Sequence, residues 1–64
     1  MSDHERIMLE CRYILSLDKD YKDLANILNI NIDIVIDDLN NTLPNIDSKL
    51  YHRVNKVLKM KNCS

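Results

Sequence analysis

Glycine is absent from this sequence, and proline occurs once, as Pro44. Without glycine the chain has neither a Gly-rich phosphate loop nor the residue that two-residue β-hairpin turns favour most. Cysteine occurs twice, as Cys11 and Cys63. That is too few for a disulfide scaffold and the wrong spacing for a zinc site, so the expectation is two reduced thiols, Cys11 in a core and Cys63 on a tail. No apolar run approaches the roughly 18 residues of a membrane span. The opening stretch MSDHERIM lacks signal-peptide character, which points to a cytoplasmic chain with no membrane partner. What remains is a 64-residue sequence, 30% charged and 45% hydrophobic. That describes one small domain, residues 1–64, with a single core and little room for a catalytic pocket.

Four helical patterns succeed one another, at about residues 3–17, 20–28, 31–41 and 47–61. In the first, Ile7, Met8, Cys11, Ile14 and Leu15 form one apolar stripe, with Ser2 or Asp3 as cap. Asp20 caps the second, whose inner face is Tyr21, Leu24, Ala25 and Leu28. Asn29 follows where a left-handed residue ends a helix, a place for which Asn is second choice after Gly. Asn31 caps the third, with Ile32, Val35, Ile36 and Leu39 at helical spacing. Ile30 to Ile36 also alternates in the manner of a strand and is rich in β-branched residues. No partner strand exists elsewhere, so helix is expected, closed by Asn40-Asn41. Leu43-Pro44-Asn45-Ile46 reads as an extended connector, because proline disfavours helical geometry in the residue before it. Asp47 then caps the last helix, whose inner stripe is Leu50, Val54, Val57 and Leu58. The expected fold is all-α, a four-helix helix-turn-helix domain with a three-helix core plus a C-terminal helix. Its core would gather Leu15, Leu24, Leu28, Ile30, Val35, Leu39, Val54 and Leu58.

A short helix, a three-residue turn and a second helix make a helix-turn-helix unit. The small Ala25 sits where the two helices cross, Ile30 plugs the turn, and Val35 packs back on the first helix. The stretches Leu24-Ala25, Ile30, Asp38-Leu39, Leu43-Pro44-x-Ile46, Val54 and Val57-Leu58 carry a more specific likeness. Over about His4 to Lys59, without gaps, the chain resembles the stage III sporulation protein D family of DNA-binding transcriptional regulators from spore-forming Firmicutes. The resemblance implies a small helix-turn-helix fold with an extra C-terminal helix. In that family the last helix and the basic tail after it add DNA contacts, and this sequence ends near where that tail begins. It departs from the family at the turn glycine, here Asn29, and at the polar and basic start of the recognition helix, here Ile32-Asp33-Ile34-Val35-Ile36-Asp37-Asp38.

That departure has a physical consequence. Between Lys22 and Lys49 there is no Lys or Arg, against Asp23, Asp33, Asp37, Asp38 and Asp47. Non-specific DNA affinity comes almost entirely from cations at phosphates, and an Asp about 4 Å from a phosphate is repelled by about 1 kcal/mol in high dielectric. Beyond Asp47 the balance reverses, with Lys49, Arg53, Lys56, Lys59 and Lys61 and no acid. If double-stranded DNA is the partner, Lys49, Arg53, Lys56 and Lys59 hold phosphates, and Asn31, Asn40 and Asn41 are the polar candidates of the third helix; Asn40 or Asn41 could pair with adenine. The alternative is a protein-interaction module, a homodimer or a DNA-mimic antagonist, gripping through Ile32, Asp33, Ile36 and Asp37 as an apolar patch rimmed by acids. Under that reading Ile32 and Ile36 are exposed; under a plain structural reading they belong to the core. His4 and His52 read as surface residues, and Tyr13, Tyr21 and Tyr51 as core-edge packing. No carboxylate pair, nucleophile–base pair or ligand cluster converges on one place, so neither an enzyme, a small-molecule substrate, a cofactor nor a metal is expected.

Overall fold

The computed structural model describes residues 2–62, so Cys63 lies outside the described residues. The fold is all-helical, with no strand among those residues. Helix α1 spans Asp3–Leu17, α2 Tyr21–Leu28 and α3 Ile32–Asp37. A five-residue π-helical turn, Asp38–Thr42, follows, then the single turn α4, Leu43–Ile46, and the long α5, Ser48–Asn62. The strand-like alternation of Ile30 to Ile36 is overridden because Val35 and Leu39, one turn apart, both reach the core.

The helix ends are set by short polar side chains. Ser2 Oγ accepts from the Glu5 amide at 3.2 Å. Asp20 and Asp23 form a reciprocal capping box at the start of α2. The Leu50 amide donates to Asp47 Oδ1 at 3.1 Å, which starts α5. With no glycine to end helices, Asp18 (φ 59°) and Asn29 (φ 56°) take the left-handed C-cap positions. Asn and Asp tolerate that region better than other residues with a Cβ.

The core consists of Ile7, Cys11 and Ile14 from α1, Leu24 from α2, Val35 and Leu39 from the third helical stretch, Leu43 from α4, and Val54 and Leu58 from α5. Met8, Leu15, Ala25, Ile30, Leu50 and Val57 pack around it half-buried, as do the three tyrosines. Leu15 and Ile30 are therefore core-edge rather than core residues, and Leu28 is half-buried outside that packed set. α1 lies against α5 and the π turn, α2 against α3, and α4 against α5.

The connector expectation fails. Leu43 has φ −57° and ψ −43°, and the chain stays helical from Ile32 through Ile46 instead of ending at Asn40-Asn41. In a regular α-helix Pro44 would lack its amide bond and its ring would strike the carbonyl four residues back. The π turn relieves this: the Leu43 amide bonds the Asp38 carbonyl, five residues back, and Pro44 enters as an early residue of a new turn. Burial of Leu43 outweighs the local preference for an extended residue before proline.

Candidate nucleic-acid and partner-binding faces

The α2–turn–α3 unit is held from within. Asn29 reverses the chain with its positive φ, and the Ile30 amide bonds the Ala25 carbonyl at 3.0 Å. Asn31 Oδ1 accepts from the Asp33 amide at 2.9 Å, which uses its acceptor as the cap of α3. Val35 faces inward, while Ile32, Asp33, Ile36 and Asp37 are exposed together. Ile32, Ile34 and Ile36 keep 39%, 42% and 38% of their surface, so the assignment of Ile32 and Ile36 to the core does not hold. Ile34 is exposed as well, but two residues from each of them it projects from a different side of α3.

Asn40 and Asn41 are exposed, yet their amide nitrogens are engaged. Asn40 Nδ2 donates to the Ile36 carbonyl at 2.9 Å and to the Tyr21 hydroxyl at 3.1 Å. Asn41 Nδ2 reaches Asp37 Oδ1 at 2.6 Å. Asn45 Nδ2 likewise takes the Asn41 carbonyl at 3.0 Å. In the widened turn Asn40 and Asn45 satisfy backbone carbonyls, Asn41 bonds the Asp37 carboxylate, and Asn40 pins the turn to α2 through Tyr21. A base edge at Asn40 or Asn41 would have to replace those contacts.

The acidic character of this region is smaller than the sequence count. The Asp23 carboxylate closes the capping box by accepting from the Asp20 amide at 3.3 Å, and Asp47 caps α5. Asp38 is not on the solvent side at all: it is 4% exposed. It accepts two hydrogen bonds from Arg6, Nε to Oδ2 at 2.7 Å and Nη2 to Oδ1 at 2.9 Å. That bidentate pair holds the Arg6 guanidinium well above its ordinary pKa, the Asp38 hydrogen bond being the main cause. Beside it Glu10 is fully buried, 3.9 Å from Arg6 Nε. Asp33 and Asp37 are left as the outward pair on α3.

On α5, Lys49, Arg53, Lys56 and Lys59 are all exposed. No ion pair found among the described residues engages these four cations. Lys56 and Lys59 share a shallow groove with His52, Asn55 and Met60. His4 and His52 are exposed, as their positions suggested. A second, mainly apolar groove runs between α1 and α5, lined by Met8, Leu9, Cys11, Leu15 and Leu50 with His4, Glu5 and Arg12 at its edge. No described helix is long and apolar enough to cross a membrane. No family model, no curated protein and no solved structure matches this chain.

Proposed function

We propose that the chain is a helix-turn-helix module of the DNA-binding transcriptional-regulator type, cytoplasmic and of the sporulation-regulator kind its sequence resembles, with weak or context-dependent affinity for double-stranded DNA. One observation carries the reading: a stripe of four exposed cations on α5, engaged by no ion pair among the described residues, in a fold that also holds a helix-turn-helix unit. Lys49, Arg53 and Lys56 recur at four- and three-residue intervals, so they share one side of α5. Exposed cations outside those ion pairs are available to phosphates, and each contact releases counterions. α3 adds little to backbone binding, because its outward side chains are Ile32, Asp33, Ile36 and Asp37. Base reading there would depend on Asn31, Asn40 or Asn41. The test is a fluorescence-anisotropy titration against random-sequence duplex at low and physiological salt. Binding that is measurable at low salt and collapses with salt supports the reading; no binding at low salt removes it.

A second reading is favoured by Ile32 and Ile36, exposed one turn apart on α3 beside Asp33 and Asp37. An apolar patch rimmed by like charge suits a protein partner with a basic rim, or a second copy of the chain. Sedimentation velocity across a concentration series separates self-association from a monomer that binds only DNA.

A further inference from the structure

Glu10 is the most unusual polar residue in the described structure. It lies on the buried side of α1, between Ile7 and Cys11 and Ile14, with no exposed surface. No donor among the described residues serves either carboxyl oxygen. Its nearest cation is Arg6, one turn earlier on the same helix, at 3.9 Å. That is beyond hydrogen-bond reach, and the same Nε is committed to Asp38 at 2.7 Å. One guanidinium thus stands between two buried carboxyl groups and bonds only one of them.

A buried carboxylate without donors is strongly disfavoured, so such a group neutralises instead. Burial, above all, pushes the Glu10 carboxyl up to about 8; Asp38, as an acceptor for the protonated form and as a neighbouring charge, acts in the same direction, and Arg6 opposes them. The proton makes Glu10 a donor, for which Asp38 is the acceptor. Loss of the proton leaves two carboxylates and one guanidinium in the same buried place. The charged groups facing Glu10 are Arg6 from its own helix and Asp38 from the π turn. α5, the other element packed on α1, brings Val54 and Leu58 to the core, and its cap Asp47 acts on Cys11. Cys11, the adjoining thiol, is itself pushed up to about 11 by burial first and Glu10 second, above the range in which Glu10 titrates.

We propose that Glu10 is a proton-controlled competitor of Asp38 for Arg6, so that the attachment of the π turn, and of α3 before it, to α1 loosens when Glu10 loses its proton. Arg6 and Glu10 are spaced i and i+4, a separation at which the two side chains can pair directly. When Glu10 is charged, Arg6 divides between it and Asp38, and the two hydrogen bonds that hold the start of the π turn weaken. The helix-turn-helix unit and the rest of the domain are then less tightly joined as pH rises. This holds whatever α3 contacts.

The sign follows from proton linkage. Between the ordinary carboxylate range and about pH 8 the native chain holds one proton more than the unfolded chain. Stability is therefore fully present at low pH within this couple, falls as pH rises through that window, and levels above it. The unfolding constant should rise by up to about tenfold per pH unit there. Urea denaturation of the full chain from pH 5 to 9 reads this, alongside Glu10→Gln, which keeps the shape and a permanent donor. The proposal expects a falling midpoint in the wild type and a flat one in Glu10→Gln. A slope that survives in Glu10→Gln overturns it. If that variant does not fold, carboxyl-carbon NMR of the wild type decides: a Glu10 midpoint near 8, accompanied by movement of the Arg6 Nε–H resonance, supports the proposal, and a midpoint in the ordinary carboxylate range refutes it.

Discussion

Arg6 and Asp38, 32 positions apart, are joined by two hydrogen bonds of 2.7 and 2.9 Å across the interface between α1 and the π turn. Asp38 is nearly buried and the Arg6 side chain about a quarter exposed, so removing either partner strands a charge that water cannot fully reach. Arg6→Ala should cost about 3 kcal/mol. A 64-residue domain is stable by roughly 3–10 kcal/mol in all, so this variant should be close to unfolding. The double variant Arg6→Met, Asp38→Leu should be more stable than Arg6→Ala alone. Urea melts of the three proteins check this; a double variant weaker than the single would mean the pair is not what joins the two elements.

Leu24 and Leu43 are both without exposed surface. Truncating either to Ala should cost roughly 2–5 kcal/mol. The Leu43 result is the informative one, because an extended connector would leave that side chain near the surface. A Leu43→Ala loss below about 1 kcal/mol, the range of surface changes, would count against the helical path through α4.

Cys11 is buried and its thiol pKa is pushed up to about 11. The thiolate is the reactive form. In a Cys63→Ser background at pH 7, a thiol reagent should therefore modify the native chain far more slowly than the urea-unfolded chain. Equal rates would show that Cys11 is not held in the core.

The helices, their caps and most of the core follow from spacing and cap chemistry. Asn29, Asn31, Asp20 and Asp47 do what their residue types favour at those places. Two kinds of feature escaped. The first is Leu43-Pro44, where the local rule for residues before proline is overridden by burial of Leu43 and a π turn that no short pattern announces. The second is the buried polar pair. Glu10 falls three residues after Ile7, and Asp38 three after Val35, each on its helix's inner face. That register was the available signal, but charged residues are rarely buried unless paired, and the pairing with Arg6 is visible only in three dimensions. On the candidate faces, sequence grouped the α5 cations and Asp33 with Asp37. It did not reveal that Asn40 and Asn41 are engaged by neighbours, or that Ile34 is exposed.

Replacing both Asp33 and Asp37 with Lys changes the outward charge of α3 by four units, since each acid becomes a cation. If the DNA reading holds, non-specific affinity at low salt should rise markedly. If α3 instead grips a basic protein surface or a second copy, association should be lost through like-charge contact. Anisotropy and sedimentation on the same sample distinguish the two, and no change in either would reduce α3 to scaffold.

In the proposed function α5, rather than α3, holds the DNA backbone. The most direct test is the salt dependence of duplex binding by the variant Lys49→Ala, Arg53→Ala, Lys56→Ala, compared with the wild type. Three lost phosphate contacts should lower the slope of log affinity against log salt by roughly 2.7, at about 0.9 per contact, with helicity by circular dichroism unchanged. An unchanged slope in a folded variant would contradict the account and place the phosphate contacts elsewhere on the chain.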